Sequence, residues 1–271
     1  MIRRVTFWSI SFVCLVSVGA QAAETNNYVQ LGTMLQKAAQ AEPEEMAKTI
    51  QEVAKSLGDE SYLAHQLRTG LKEYEQNNST EVLKELRTRV RQIGTDLTFR
   101  PVTEAKLPKG FPGYVPAGEV RIQKYPAYRM AQAGGNEFFR LFNHIKKNNI
   151  AMTAPVEMEV TPKGENLRRE TMAFLYGNPE MGKAGPQGGV MVKDIKPMMA
   201  VSTGVRGKSS NSQAVLAAQQ RLVAWMKLHP EYEKVGGLRV MGWNSPFVPA
   251  NRSYFEVQYK VRKKNTSSTD R

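Results

Sequence analysis

The spacing of apolar residues changes near residue 100, and this change divides the chain into two folding units. Before it, apolar side chains recur every three or four residues, as in amphipathic helices; after it, they alternate as in half-buried strands. The charge changes at the same place. Residues 23–100 carry 10 basic and 12 acidic side chains, whereas residues 101–271 carry 26 basic and 13 acidic ones. Two different units therefore share the 271 residues.

The first 22 residues have the pattern of a secretory signal peptide. Arg3 and Arg4 precede an apolar stretch over residues 5–18, and the small-x-small sequence Ala20-Gln21-Ala22 follows. We expect cleavage near Ala22 and export, periplasmic or secreted, with no membrane span afterwards; a retained anchor is the alternative. Cys14 is the single cysteine and leaves with the signal, which excludes a disulfide framework.

The next segment, residues 23–97, is predicted to be helical. It carries three apolar stripes at helical spacing, and a weaker helix is expected over residues 28–39. The stripes are narrow, so the helices form either a small antiparallel bundle or a layer lying on the following domain. Their members are Met46, Ile50, Val53 and Leu57; Leu63, Leu67, Leu71 and Tyr74; and Val82, Leu86, Val90 and Ile93.

A linker with four prolines, residues 98–118, leads to a domain over residues 119–262 and a polar tail, residues 263–271, that we expect to be disordered. In the domain, a strand pattern, a short helix and two further strand patterns occur, and the same order begins again about 70 residues later. This order predicts an α+β domain with a curved sheet or distorted barrel and helices on its outside.

Four sequence motifs in this domain resemble the SOUL haem-binding protein family. They occur in the right order between about residues 105 and 262, and residues 23–100 lie outside the resemblance. The resemblance implies a duplicated βαββ distorted β-barrel flanked by helices. It also implies binding of haem or a related tetrapyrrole in a groove beside the first helix, and no shared catalytic reaction. The motifs are Val120–Pro126, Phe138–Ile145, Ile150–Val156, and Gly242–Pro246 with Asn251-Arg252.

The residues of the first helix can be compared with what a porphyrin requires, which is a flat apolar platform and cations for two propionates. Phe138, Leu141, Phe142 and Ile145 form an apolar face, with Arg140, Lys146 and Lys147 at its edges and the adaptable Met152 and Met172 nearby. The alternative is that the apolar face simply packs on the core. Some family members use a histidine before the strand tyrosine, where this chain has Lys124. His144 is the candidate axial ligand, and no other metal site is expected.

Two kinds of function agree with these patterns. The first is non-enzymatic tetrapyrrole binding, as a carrier, buffer or scavenger. The second is an interaction module without haem affinity, acting on a protein or an anionic envelope surface; a tetrapyrrole-processing enzyme is a further alternative, although no catalytic motif is found. Glu157 and Glu159 share one strand face, and we expect both to be solvated. The dispersed basic residues match no nucleic-acid-reading motif, so a nucleic-acid partner is not expected. Oligomeric state is left open.

Overall fold

The computed structural model describes the backbone of residues 16–264 and the side chains from residue 27 onward. The predicted signal peptide lies largely outside the described residues, and so do residues 265–271 of the predicted tail. The helices of the first unit are α1 (Val16–Ala38), α2 (Pro43–Leu57), α3 (Tyr62–Gln76) and α4 (Thr80–Thr98). No helix within residues 16–264 is long and apolar enough to cross a membrane.

The four helices bury their apolar stripes against one another and form a core of their own. Serine side chains begin two of them, since Ser61 and Ser79 accept hydrogen bonds from backbone N–H groups in the first turns of α3 and α4. Helices α1 and α4 touch at two glycines. A Cβ on Gly32 would lie 2.7 Å from the Gly94 carbonyl oxygen, and a Cβ on Gly94 would lie 2.8 Å from the Gly32 carbonyl oxygen. Any larger residue there would push the helices apart.

The second unit contains one nine-stranded sheet and two helices. Its first half contains strands on both sides of helix α5, and its second half has the same order around helix α6. The internal duplication stays a prediction. The elements are β1 (Val120–Tyr125), β2 (Tyr128–Gly134), α5 (Phe138–Lys147), β3 (Val156–Lys163) and β4 (Asn166–Leu175), followed by β5 (Gly185–Gln187), β6 (Val190–Ile195), β7 (Met198–Arg206), α6 (Ser212–Leu228), β8 (Tyr232–Gly242), a short 3-10 helix (Ala250–Arg252) and β9 (Tyr254–Lys263).

The sheet is antiparallel throughout, in the order β1-β7-β9-β8-β3-β4-β2-β6-β5. Its edges are β1 and β5, which do not pair with each other, so the predicted barrel is not closed. The physical reason is that β5 is a short additional strand beyond β6, and Pro186 within it lacks a backbone N–H.

The sheet nevertheless curls strongly. Strands β1 and β2 are six positions apart in it, which would be about 29 Å in a flat sheet. Only Pro126 and Ala127 connect them, so Tyr125 and Tyr128 lie at most about 11 Å apart. Strands β6 and β7 are likewise six positions apart and are connected by Lys196 and Pro197. These two short connections hold the sheet in its curled shape.

The inner face of the curled sheet holds a buried ion pair. Arg239 of β8 donates a hydrogen bond of 2.6 Å to Glu157 of β3, and both side chains are less than 10% exposed. The expectation that Glu157 is solvated is therefore wrong, because the pairing of β3 with β8 brings a cation to it. Glu159 is exposed, as expected.

The proline-rich linker packs against this inner face. The Phe111 ring lies edge-on to both Tyr125 and Tyr128, with centroid separations of 5.1 Å in each case. Further along, the Val115 N–H donates to the buried Glu256 carboxylate at 2.9 Å. The linker therefore packs against a small hydrophobic cluster on the inner face of the sheet, which includes Tyr125 and Tyr128, and does not simply span solvent.

The helical unit is docked beside the edge strand β1 through polar contacts. The Glu119 carboxylate, directly before β1, accepts hydrogen bonds from the Ser61 hydroxyl at 2.5 Å and the Tyr62 N–H at 2.8 Å. Asp96 of α4 pairs with Arg206 of β7 at 2.6 Å. The helices therefore combine the two predicted arrangements. They form a bundle with its own core, and this bundle also lies on the sheet domain.

Candidate functional site

Helix α5 is positioned by a glycine turn and by its apolar inner face. Gly135, between β2 and α5, has φ of 61°, a conformation that favours glycine. From this turn the helix runs over the sheet. Leu141 and Ile145 are buried in the main core, which is the large hydrophobic cluster between the sheet and helices α5 and α6. These two residues therefore pack as the core alternative describes, and they offer no surface to a ligand in this conformation.

Three phenylalanines form the outer part of the helix, and we call Phe138, Phe139 and Phe142 the aromatic patch. Phe138 is half-buried, edge-on to the Phe174 ring at 5.1 Å, and stacks with Phe142 at 6.2 Å. Phe142 is 41% exposed and Phe139 is 78% exposed. Large exposed aromatic side chains in contact with one another are typical of binding surfaces.

A groove of about 300 Å³ lies beside the beginning of α5, where β2 ends and β6 begins. The helix adjoins the groove, because the Arg140 side chain lies against Gly189, one of its lining residues. This volume is at the lower end of the range for small-molecule sites. Its lining residues are Gln132, Ala133, Gly134, Thr171, Pro186, Gly189, Val190 and Met191.

Cationic side chains lie on α5 and beside its beginning. Arg140 forms an ion pair of 3.3 Å with Glu137, and Lys146 and Lys147 are exposed in the last turn of α5. Arg169 of β4 donates from Nη1 to Asn136, while its Nε is buried without a hydrogen-bond partner. Burial lowers the pKa of Arg169, because desolvation disfavours the charged form.

The predicted axial ligand, His144, faces inward. Its Nε2 is hydrogen bonded to the Tyr176 hydroxyl at 2.7 Å, and burial lowers its pKa. Ligation of iron through this atom would require the bond to Tyr176 to break. Lys124 is exposed on the edge strand β1, in the opposite half of the sheet from α5.

The two methionines proposed near the helix lie on the core side. Met152 is half-buried against the main core, and Met172 is buried within it. Neither residue lines the groove, whereas Met191, which is 40% exposed, does.

The arrangement fits the flat apolar surface and the anionic groups of a tetrapyrrole. The aromatic patch supplies exposed rings, and Arg140 and Arg169 supply guanidinium groups close to the beginning of α5. Within the described residues there is no group of three or more His, Cys, Asp or Glu side chains that could hold a metal ion.

Sequence reasoning expected a groove beside the first helix but missed Phe139, Arg169 and the residues that line the groove. Phe139 lies within the helix motif but outside the apolar stripe. This position alone could have indicated that its side chain is exposed. The Arg168-Arg169 pair was visible as a basic cluster, but its contact with Asn136 depends on the pairing of strands distant in sequence. The groove depends on β2, β4, β5 and β6 together, so no local pattern predicts it.

Comparison with known proteins gives one family. The profile described as SOUL heme-binding protein matches residues 114–260, which is more than half of the chain. No curated protein matches the chain significantly.

Solved structures show distant likenesses. The C-terminal domain of EcmrR is 15% identical with a TM-score of 0.38, and the match covers 54% of this chain and 98% of that domain. A hydrolase from Listeria innocua is 10% identical with a TM-score of 0.41, covering 55% of this chain and 94% of that one. A putative transcription regulation protein from Staphylococcus aureus is 10% identical with a TM-score of 0.33, covering 53% and 97%. At these scores the likenesses indicate nothing about function.

Proposed function

The chain belongs to the SOUL heme-binding protein family, and from this we propose that its sheet domain binds haem or a related tetrapyrrole without catalysing a reaction on it. The observation that carries the proposal is the aromatic patch, with Phe139 78% exposed, on a helix whose Arg140 adjoins the groove. A carrier, buffer or scavenger needs such a surface and no catalytic side chain.

We propose that the ring system lies against the aromatic patch with one edge in the groove. Stacking on Phe139 and Phe142 removes apolar surface of both partners from water, which is the main favourable contribution. Arg140 and Arg169 orient the ligand through its carboxylates. Haem, when bound, would supply an iron centre; Leu141 and Ile145 support the helix from below, and His144 stays bonded to Tyr176.

Titration of haem into the purified protein tests the proposal. We expect a saturable one-to-one shift of the Soret band, with a dissociation constant of about 1 µM or lower. Phe139→Ala should weaken binding about fivefold, because the exposed ring supplies stacking worth on the order of 1 kcal/mol.

Phe247→Ala is the matched control, since Phe247 is 93% exposed on the loop after β8 and lies outside the aromatic patch. It should leave the haem affinity unchanged. Linear uptake without a stoichiometric end point would contradict the proposal. Equal weakening by the two substitutions would mean that the patch is not the site.

A second candidate function is an interaction module on a protein or anionic envelope surface. The observation that favours it is the combination of exposed Phe139 with exposed Lys146 and Lys147 on one helix. An aromatic and basic surface of this kind also suits a negatively charged partner. Absence of saturable haem binding, together with sedimentation of the protein with vesicles containing anionic lipid, would select this function.

We further propose that the protein is exported and that residues 1–22 are removed. The support is the basic, apolar and small-residue order of these residues. Mass spectrometry of the protein recovered from the producing cells should give a chain that begins near Ala23. A chain that retains Met1 or begins at Ile2 would contradict cleavage.

A further inference from the structure

Arg169 has no carboxylate partner among the described residues, whereas several other arginines of the sheet domain do. Arg129 pairs with Asp194 at 2.7 Å, Arg206 pairs with Asp96 at 2.6 Å, and Arg239 pairs with Glu157 at 2.6 Å. For Arg169, no ion pair is found among residues 27–264; Nη1 bonds to the neutral side-chain oxygen of Asn136, and the buried Nε has no partner.

An unpaired guanidinium group in this position is energetically unfavourable. Burying a charged group or an unsatisfied donor costs free energy unless a counter-charge or an acceptor compensates. Burial also lowers the pKa of Arg169, because desolvation disfavours its charged form. A ligand carboxylate would supply both the missing acceptor and the missing charge.

The position of Arg169 connects it to the proposed site. Its contact residue Asn136 lies two residues before Phe138, the first residue of α5. The neighbouring backbone is fixed, because the Gly135 N–H donates to the Glu170 carbonyl at 2.8 Å. Gly134, two residues before Asn136, pairs with Thr171, two residues after Arg169, and both line the groove. Arg169 therefore lies between the groove and the beginning of the helix.

We propose that the Nε edge of Arg169 binds a free carboxylate of the ligand, so that the site selects tetrapyrroles with free propionates over their esters. The inference rests on the proposed function and specifies its ligand class. Arginine suits this role because its planar guanidinium presents parallel N–H donors that match the two oxygens of a carboxylate. An ester lacks the charge and keeps only weaker acceptors, so it cannot replace the carboxylate.

The test compares haem with haem dimethyl ester, each titrated into the wild-type protein and into Arg169→Leu. We expect the wild-type protein to bind haem at least about tenfold more tightly than the ester, and we expect this preference to fall to within about twofold in the variant, because only the acid can make a charge-assisted bond. The affinity for the ester should change little, which a general loss of structure would not produce.

Arg168→Leu is the matched control. Arg168 is the neighbouring residue, is exposed and already pairs with Glu170 at 2.7 Å, so its replacement should leave the preference for haem intact. Arg169→Lys keeps the charge without the planar fork and should retain part of the preference. Equal affinity of the wild-type protein for acid and ester would overturn the inference while leaving tetrapyrrole binding in place. Binding of neither ligand would instead overturn the proposed function, and the inference with it.

Discussion

Replacing Arg239 with methionine is expected to lower the free energy of unfolding by about 3–5 kcal/mol, because it leaves the buried Glu157 carboxylate without its counter-charge. The two groups are 2.6 Å apart, and their side chains are only 7% and 6% exposed. The Tyr128 hydroxyl also contacts Glu157, at 3.2 Å, but a neutral hydroxyl cannot replace a guanidinium group. Urea denaturation of the wild-type and variant proteins measures the difference.

Two further variants show whether burial is the cause. Arg262→Met removes the partner of Glu233 in an exposed pair, where a loss of about 1 kcal/mol or less is expected. The double variant Glu157→Leu with Arg239→Met removes both buried charges and should be more stable than Arg239→Met alone. Losses of the same size for Arg239→Met and Arg262→Met would show that the inner pair has no special role.

Leu141→Ala is the second substitution with a large expected effect, a loss of about 2–5 kcal/mol. Leu141 is fully buried between α5 and the sheet, and truncation removes apolar contacts while leaving a cavity that the close-packed core fills only partly. Thermal or urea unfolding measures the loss. The same protein, at a temperature where it remains folded, should still bind haem, since the proposed binding mode places the ring of the ligand on the opposite face of the helix.

Phe142→Ala provides the comparison on the same helix. Phe142 is 41% exposed and one position further along, so its truncation should cost well under 2 kcal/mol of stability and instead weaken haem binding. If Leu141→Ala left stability unchanged but abolished haem binding, Leu141 would be a ligand contact and not a core residue.

Local patterns predicted the helices well. The stripe Met46, Ile50 and Val53 lies in α2 and is buried there, because helical spacing alone determines which side chains share a face. In α5 the same rule identified Leu141 and Ile145 correctly as one face. The spacing rule could not predict that the sheet covers this face while Phe139 stays exposed, because that depends on where the helix lies on the sheet.

Features that need distant parts of the chain were not predictable. Glu157 was expected to be solvated because its neighbours give no sign of a partner 82 residues away. The same holds for the orphaned Nε of Arg169, which is recognised only once every nearby carboxylate is located. Barrel closure was also overestimated, because the three residues of β5 carry no clear strand pattern.

Strands of the two halves of the sheet pair with each other, and this exchange affects the order in which the protein can fold. Strand β1 pairs with β7, so Val120 meets Thr203, and β6 in turn pairs with β2. Each half thus supplies a strand that the other half lacks, and neither is a separate folding unit. Because the chain must close loops of about 60 to 80 residues before these pairs form, its contact order is high and we expect slow folding. A nascent chain that has emerged only as far as β4 has no partner for β1, and the sheet is completed only when nearly the whole domain is present.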